Sequence, residues 1–211
     1  RLFGFFALSS TAMAVCLAIG TISMLLASTM AMVARDIKQV WAYSTISQLG
    51  FMIMGLAAGS LFAGVFHLTT HAGFKALLFL CSGVFIHHFG TNDMFDIGKA
   101  GGRGLKTPMI CMTIAAAALS GLPPFSGFFS KELILAALAD LNNPIWLVAG
   151  LLGLAVATLS LIQPQTTLYL ICFSVPFGSL LSVDLGGISF GITDALLALA
   201  LAAWLARMIA F

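Results

Sequence analysis

Charge is what this chain has least of. Charged residues make up 8% of its 211 positions, against about 25% in soluble domains. Lys and Arg total 9, Asp and Glu total 7, and the net charge is +2, so there is no basic footprint for nucleic acid. The few charges are clustered, leaving charge-free runs from Leu2 to Ala34, Gln39 to Phe74, Thr107 to Ser130 and Leu141 to Val183. Each is long enough for the roughly 20-residue helix that crosses a bilayer. Paired cysteines are missing too: Cys16, Cys81, Cys111 and Cys172 lie singly in apolar runs and form no CxxC. That argues against a disulfide framework or a zinc site and for small core residues. The first apolar run is longer than the roughly 7–15 residues of a signal-peptide core. The chain opens on Arg1 rather than Met, and we read it as a piece of a longer polypeptide.

What the chain has in excess is apolar surface. Hydrophobic residues are 61% before its 21 glycines are counted, whereas soluble domains reach about 45–50% with glycine included. The fold class is therefore all-α, a polytopic transmembrane bundle. Span length and the punctuation by Gly, Pro and charge predict seven helices, at 11–34, 40–58, 61–89, 108–139, 144–162, 166–183 and 189–210. The number falls to six if Gln163-Pro164-Gln165 divides one long helix from a re-entrant piece.

Alternate ends of these helices differ in charge. Arg35, Lys38, Lys99, Arg103, Lys106 and Arg207 fall on one side and only Arg1 on the other, which by the positive-inside rule makes the first side, with the loop 90–107, cytoplasmic. The glycines of that loop, Gly98, Gly101, Gly102 and Gly104, follow no strand and do not have the GxGxxG spacing of a phosphate cradle.

Two lysines belong to no connector. Lys75 sits near the middle of the 61–89 run and Lys131 within the 108–139 run. A charge inside the membrane costs a few kcal/mol or more, so such residues face a bundle interior or a hydrated cavity and mark a pathway. His67, His71 and Lys75 are spaced i, i+4, i+8, one stripe about 12 Å long on a helix. Imidazole exchanges protons near neutrality and has two nitrogens to do it with, and an amine taken out of water gives up its proton more readily. The stripe suits a proton relay; the plainer alternative is two neutral histidines bonding neighbouring helices. A metal reading of His67-Leu-Thr-Thr-His71 lacks the zincin glutamate and a third ligand, so no metal site is expected. Ser44, Ser47 and Gln48 on the preceding helix supply polar groups for the stripe or for helix packing, and His87 and His88 fall off the stripe toward the interface.

The fourth span carries Gly121, Pro123, Pro124 and Gly127 in its middle. Two consecutive prolines remove two backbone donors and clash with the preceding turn, so a broken helix is expected. Unwound backbone at membrane depth is tolerated only where protein or a water-filled cavity satisfies it, and transporters use such breaks to place polar groups. A kink without transport is the alternative.

Three segments then resemble a known family. Asp36 to Gly50 reads DIKQVWAYSTISQLG, Phe66 to Leu80 reads FHLTTHAGFKALLFL, and Leu119 to Glu132 reads LSGLPPFSGFFSKE. Together they resemble the antiporter-like membrane subunits of respiratory complex I, best matched by the distal subunit called L or chain 5. Subunits of Mrp-type sodium/proton antiporters and of membrane-bound hydrogenases share these motifs. The resemblance implies two inverted five-helix repeats, of which residues 1–140 match the second (four spans), with 141–211 adding further helices in a divergent or truncated C-terminus. It implies that Lys75 is the central lysine of a hydrophilic axis, His67 and His71 its neighbours, and Lys131 the broken-helix lysine. Ser44, Gln48, His87 and Glu132 are auxiliary candidates.

The function implied is proton translocation by a subunit of an NADH:quinone oxidoreductase in which this chain carries no redox chemistry and no cofactor. Flavin, iron–sulfur clusters and quinone are then expected in partner subunits of the membrane and hydrophilic arms. Two other readings stand beside it: a subunit exchanging Na+ for H+ in an Mrp-type assembly or serving a membrane-bound hydrogenase, and a non-transporting structural segment of the membrane arm. The setting is a bacterial or archaeal plasma membrane or an organellar inner membrane.

Overall fold

The computed structural model describes residues 3–141, 143–159, 182–185 and 188–191, the last two segments by backbone alone. Eight α-helices are present among the described residues: α1 (Phe3–Phe6), α2 (Ser10–Val33), α3 (Ile37–Ala57), α4 (Leu61–Phe89), α5 (Met94–Lys99), α6 (Lys106–Ser120), α7 (Ser126–Ala139) and α8 (Pro144–Leu159), with a 3-10 turn at Gly102–Gly104.

Their limits follow local chemistry. The Ser9 hydroxyl caps α2, Asp36 accepts from the Lys38 and Gln39 amides at the start of α3, and the Ser60 hydroxyl caps α4, each supplying an acceptor to a backbone donor without an intrahelical partner. Gly90 and Gly121, at φ of 69° and 84°, close α4 and α6, a left-handed conformation that glycine adopts without steric cost. Helices α2, α3 and α4 are long and apolar enough to span a bilayer. The fourth expected span is broken, as the prolines require. Helices α6 and α7 have 15 and 14 residues, each about 22 Å long and too short alone for a hydrocarbon core of about 30 Å. In the pair α2 and α3 the backbones meet at Gly20 and Gly50, where a β-carbon on Gly50 would lie 2.6 Å from the Gly20 carbonyl oxygen.

The buried side chains form three tiers. Near one end, Leu17, Met24, Phe51, Met54, Ala57, Ala63, Ile134 and Leu138 make an apolar cluster. Near the other, Ile37, Val40, Trp41, Phe74, Leu78, Ala115, Ala118 and Leu119 make a second. Along α3 the buried Ser44, Ser47 and Gln48 fall between the two clusters, as do His67, His71, Ser130 and Lys131 on α4 and α7. The polar tier is thus enclosed by apolar packing above and below. Outward-facing Val15, Ile19, Ile22 and Leu26 leave an apolar face on α2, the surface that lipid accepts without penalty.

At the end carrying the polar loop, the Ile37 amide donates to the Asn92 carbonyl and the Met94 amide to the Arg35 carbonyl. The α2–α3 connector and the 90–105 loop therefore lie on one side, as the charge pattern groups them, with an open polar cleft of about 560 Å³ between them.

The C-terminal part of the chain departs from the all-helical expectation. Helices were expected over 166–183 and 189–210, but the described residues there form an antiparallel hairpin, β1 (Ser182–Leu185) with β2 (Ile188–Gly191), in the register Ser182 to Gly191 and Leu185 to Ile188. Val183, Ile188 and Phe190 suit strands. The rest of both expected spans, and Gln163-Pro164-Gln165, lie outside the described residues.

Candidate functional site

The stripe faces inward. His67, His71 and Lys75 are 0%, 4% and 5% exposed, because the helical period puts all three on the side of α4 that packs against α3 and α7. Helices α3 and α4 run antiparallel, so their polar residues meet in reverse order: Gln48 faces His67 and Trp41 faces Lys75. The Gln48 Oε1 atom is 2.9 Å from His67 Nε2 and the Ser130 hydroxyl 2.8 Å from His67 Nδ1. With an amide oxygen on Nε2, that nitrogen carries the ring hydrogen and Nδ1 accepts from Ser130. The Thr70 hydroxyl donates to Ser130 Oγ at 3.0 Å. The ring of Phe51 packs edge-on against His67.

His71 lies between, its ring centroid 6.1 Å from that of His67 and 5.3 Å from Phe74. Its Nε2, Ser44 Oγ and Gln48 Nε2 are buried atoms without a hydrogen-bond partner among the described residues. Register places Ser44 opposite His71, between the two contacts already named. Three such atoms in one tier of a close-packed interior mark the part of the bundle with spare hydrogen-bonding capacity.

Both lysines end on backbone carbonyls. Lys75 Nζ donates to Trp41 O at 3.0 Å, with the indole ring 5.6 Å away. Lys131 Nζ donates to the carbonyl oxygen of Leu119. That acceptor exists because of the break: in an unbroken helix the carbonyl of Leu119 would take the amide hydrogen of residue 123, which is Pro123 and has none. The Lys131 ammonium also sits at the C-terminal, electronegative end of α6. Close packing of the two half-helices leaves Gly127 no room for a side chain, since its β-carbon would run into the Ala118 carbonyl.

Ser44, Gln48, His67, His71 and Lys131 are thus brought into one tier, bordered by the break at Gly121, Pro123, Pro124 and Gly127, with Lys75 one turn farther along α4 at the level of Trp41. His87 is exposed at the end of α4 and Glu132 on the outer side of α7, so neither joins it. Sequence reasoning missed Ser130 as a ligand of His67, and Trp41, whose indole donates to Ser82 Oγ at 2.7 Å. Trp41, Ser44 and Gln48 at i, i+3, i+7 were a legible signal; Ser130, adjacent to Lys131, was not.

The family described as NADH:quinone oxidoreductase/Mrp antiporter, TM, matches residues 1–158, a stretch that contains the whole polar tier. The chain belongs to this family. Within the NADH:quinone oxidoreductase/Mrp antiporter family it is similar to NADH-quinone oxidoreductase subunit L of Campylobacter jejuni, 45% identical over 133 residues, which is 62% of this chain and 22% of that one. It is also similar to NADH-ubiquinone oxidoreductase chain 5 of Rattus norvegicus, 35% identical over 170 residues, 80% of this chain and 27% of that one. The chain therefore spans about a quarter of the length of the curated relatives it matches. In fold it is similar to a chain of the Mrp complex from Dietzia sp., with a TM-score of 0.65 and 25% identity over 92% of this chain and 21% of that one. The same fold recurs in the membrane-bound sulfane sulfur reductase, an archaeal respiratory membrane complex, at a TM-score of 0.65 and 23% identity, covering 95% of this chain and 40% of that one. The resemblance drawn from the three motifs is borne out, and the protein is a multi-pass integral membrane protein of this family.

Proposed function

We propose that this chain is the second-repeat portion of a proton-translocating membrane subunit of an NADH:quinone oxidoreductase, and that protons pass among Lys75, His71, His67 and Lys131. The observation that carries this reading is the position of His67, held at its two ring nitrogens by Gln48 of α3 and Ser130 of α7. It joins the stripe on α4 to the broken helix that carries Lys131. The two lysines rest on separate carbonyls, so neither ammonium competes for the other's acceptor. Transfer between His71 and His67, whose ring centroids are 6.1 Å apart, runs through a hydroxyl or water held by Ser44, His71 Nε2 and Gln48 Nε2, the atoms with capacity for it.

In this reading the electron chemistry belongs to partner subunits holding flavin, iron–sulfur clusters and quinone, and the chain contributes transport. Residues 1–140 form the second antiporter-like repeat and 141–211 further membrane segments. The loop 90–107 and the α2–α3 connector face the cytoplasm, as the basic asymmetry directs. The test is the proton-to-electron ratio of the full-length protein in its assembled complex. His67→Ala, Lys75→Ala and Lys131→Ala lower it while the complex still assembles; wild-type ratios in all three would overturn the reading.

A second reading, exchange of Na+ for H+ in an Mrp-type assembly, is favoured by the likeness to the Dietzia Mrp chain. Transport that depends on sodium rather than on a redox substrate selects it.

A further inference from the structure

We propose that Ser130 is a positioning residue whose hydroxyl reverses direction as His67 gains and loses a proton, so that neither form of the buried imidazole is left with an unsatisfied nitrogen. The proposal rests on the relay reading above. Ser130 is 0% exposed, and its oxygen meets three groups: His67 Nδ1 at 2.8 Å, Thr70 Oγ1 at 3.0 Å and the carbonyl oxygen of Gly127, one turn back on its own helix, at 3.4 Å. A hydroxyl has one hydrogen to give and two lone pairs to accept with. These three neighbours match that capacity in two ways.

With His67 neutral, Nε2–H donates to Gln48, the Ser130 hydrogen points at Nδ1, and Ser130 accepts from Thr70. With His67 protonated, the added hydrogen sits on Nδ1 and donates to Ser130 Oγ. Ser130 keeps its own hydrogen and turns it onto the Gly127 carbonyl, and Thr70 still donates to Ser130. Only the hydroxyl rotates: the bond it donated to Nδ1 is replaced by one accepted from Nδ1, and Ser130 keeps the same three neighbours. Gln48 accepts from Nε2–H in both forms. The charged or titratable neighbours of His67 are His71 on its own helix and Lys131 on α7; Gln48 and Phe51 face it from α3. Gln48 is bonded to the opposite ring nitrogen and Lys131 to the Leu119 carbonyl, so Ser130 is the partner of Nδ1 among the described residues.

Ser130→Ala removes this oxygen without adding bulk. The neutral ring then loses one acceptor bond, whereas the protonated ring is left with a charged N–H aimed at a methyl group, the costlier loss. The experiment uses the full-length subunit in its assembled complex, labelled with 15N-histidine, with the His67 resonances assigned by their loss in His67→Gln. Solid-state NMR spectra are taken across a pH series on wild type, Ser130→Ala and Ser130→Thr, and proton-to-electron ratios on the same samples and on His67→Ala.

The expected result is a protonated His67 population at least about tenfold lower in Ser130→Ala than in wild type at the same pH, restored in Ser130→Thr, which keeps the hydroxyl. A wild-type population in Ser130→Ala would overturn the proposal. The two readings fail separately. If pumping is normal in His67→Ala while Ser130→Ala still depletes the protonated ring, the relay falls and the positioning role stands. If His67→Ala stops pumping while Ser130→Ala protonates and pumps as wild type does, the positioning role falls and the relay stands.

Discussion

Lys75 gives its ammonium hydrogen to the main-chain carbonyl of Trp41, 3.0 Å away, and lies 5.6 Å from the indole ring of the same residue. The indole N–H is tied to Ser82 Oγ, and Ser82 in turn donates to the Leu78 carbonyl. The acceptor of Lys75 is therefore held from behind by α4 itself, one and two turns beyond the lysine. A backbone carbonyl and a ring face attract a cation without neutralising it as a carboxylate would. An amine in that setting can be held and still exchange its proton.

That setting separates charge from proton exchange. Lys75→Arg keeps a cation over the indole but brings a guanidinium that does not deprotonate. We expect it to lower proton translocation nearly as far as Lys75→Ala, by on the order of 100-fold where the exchange is obligatory. Proton uptake by vesicles containing the assembled complex checks this, and full transport in Lys75→Arg would show that a fixed charge suffices.

The break has its own consequence. Replacing Pro123 and Pro124 by Ala supplies amide hydrogens for the carbonyls of Leu119 and Ser120, and so competes with Lys131 for its acceptor. Pumping per assembled complex should fall although both lysines remain. Equal pumping per complex in the double mutant and wild type would leave the prolines with a packing role only.

Close packing predicts a stability effect away from the site. A β-carbon on Gly50 would meet the Gly20 carbonyl oxygen at 2.6 Å and the Met24 amide nitrogen at 2.8 Å. Gly50→Ala should push α2 and α3 apart at a cost of about 1–3 kcal/mol. A lower Tm of the purified assembly, with less of it in the membrane, is the readout, whereas Gly73→Ala, with nothing within 4 Å of its β-carbon, should change neither.

Sidedness is testable without transport. A cysteine at Thr91, in a background lacking the native cysteines, should resist membrane-impermeant thiol reagents added outside whole cells and react in inverted vesicles. Ready labelling from outside would reverse the orientation.

The elements and the break were legible because their causes are local. Charge-free runs set the spans, Pro123 and Pro124 remove backbone donors wherever the helix lies, and i, i+4, i+8 spacing puts His67, His71 and Lys75 on one face in any helix. The partners of that face were not legible. Helices this apolar are hydrophobic nearly all round, so their periodicity does not mark which side packs inward. Only the packing of α7 against α4 brought Ser130 to His67, 63 positions away in the chain. Only the antiparallel register of α3 and α4 put Gln48 at one end of the stripe and the Trp41 carbonyl at the other. The hairpin at Ser182–Leu185 and Ile188–Gly191 escaped for a related reason: a short apolar run reads equally as helix or strand until it has something to pair with.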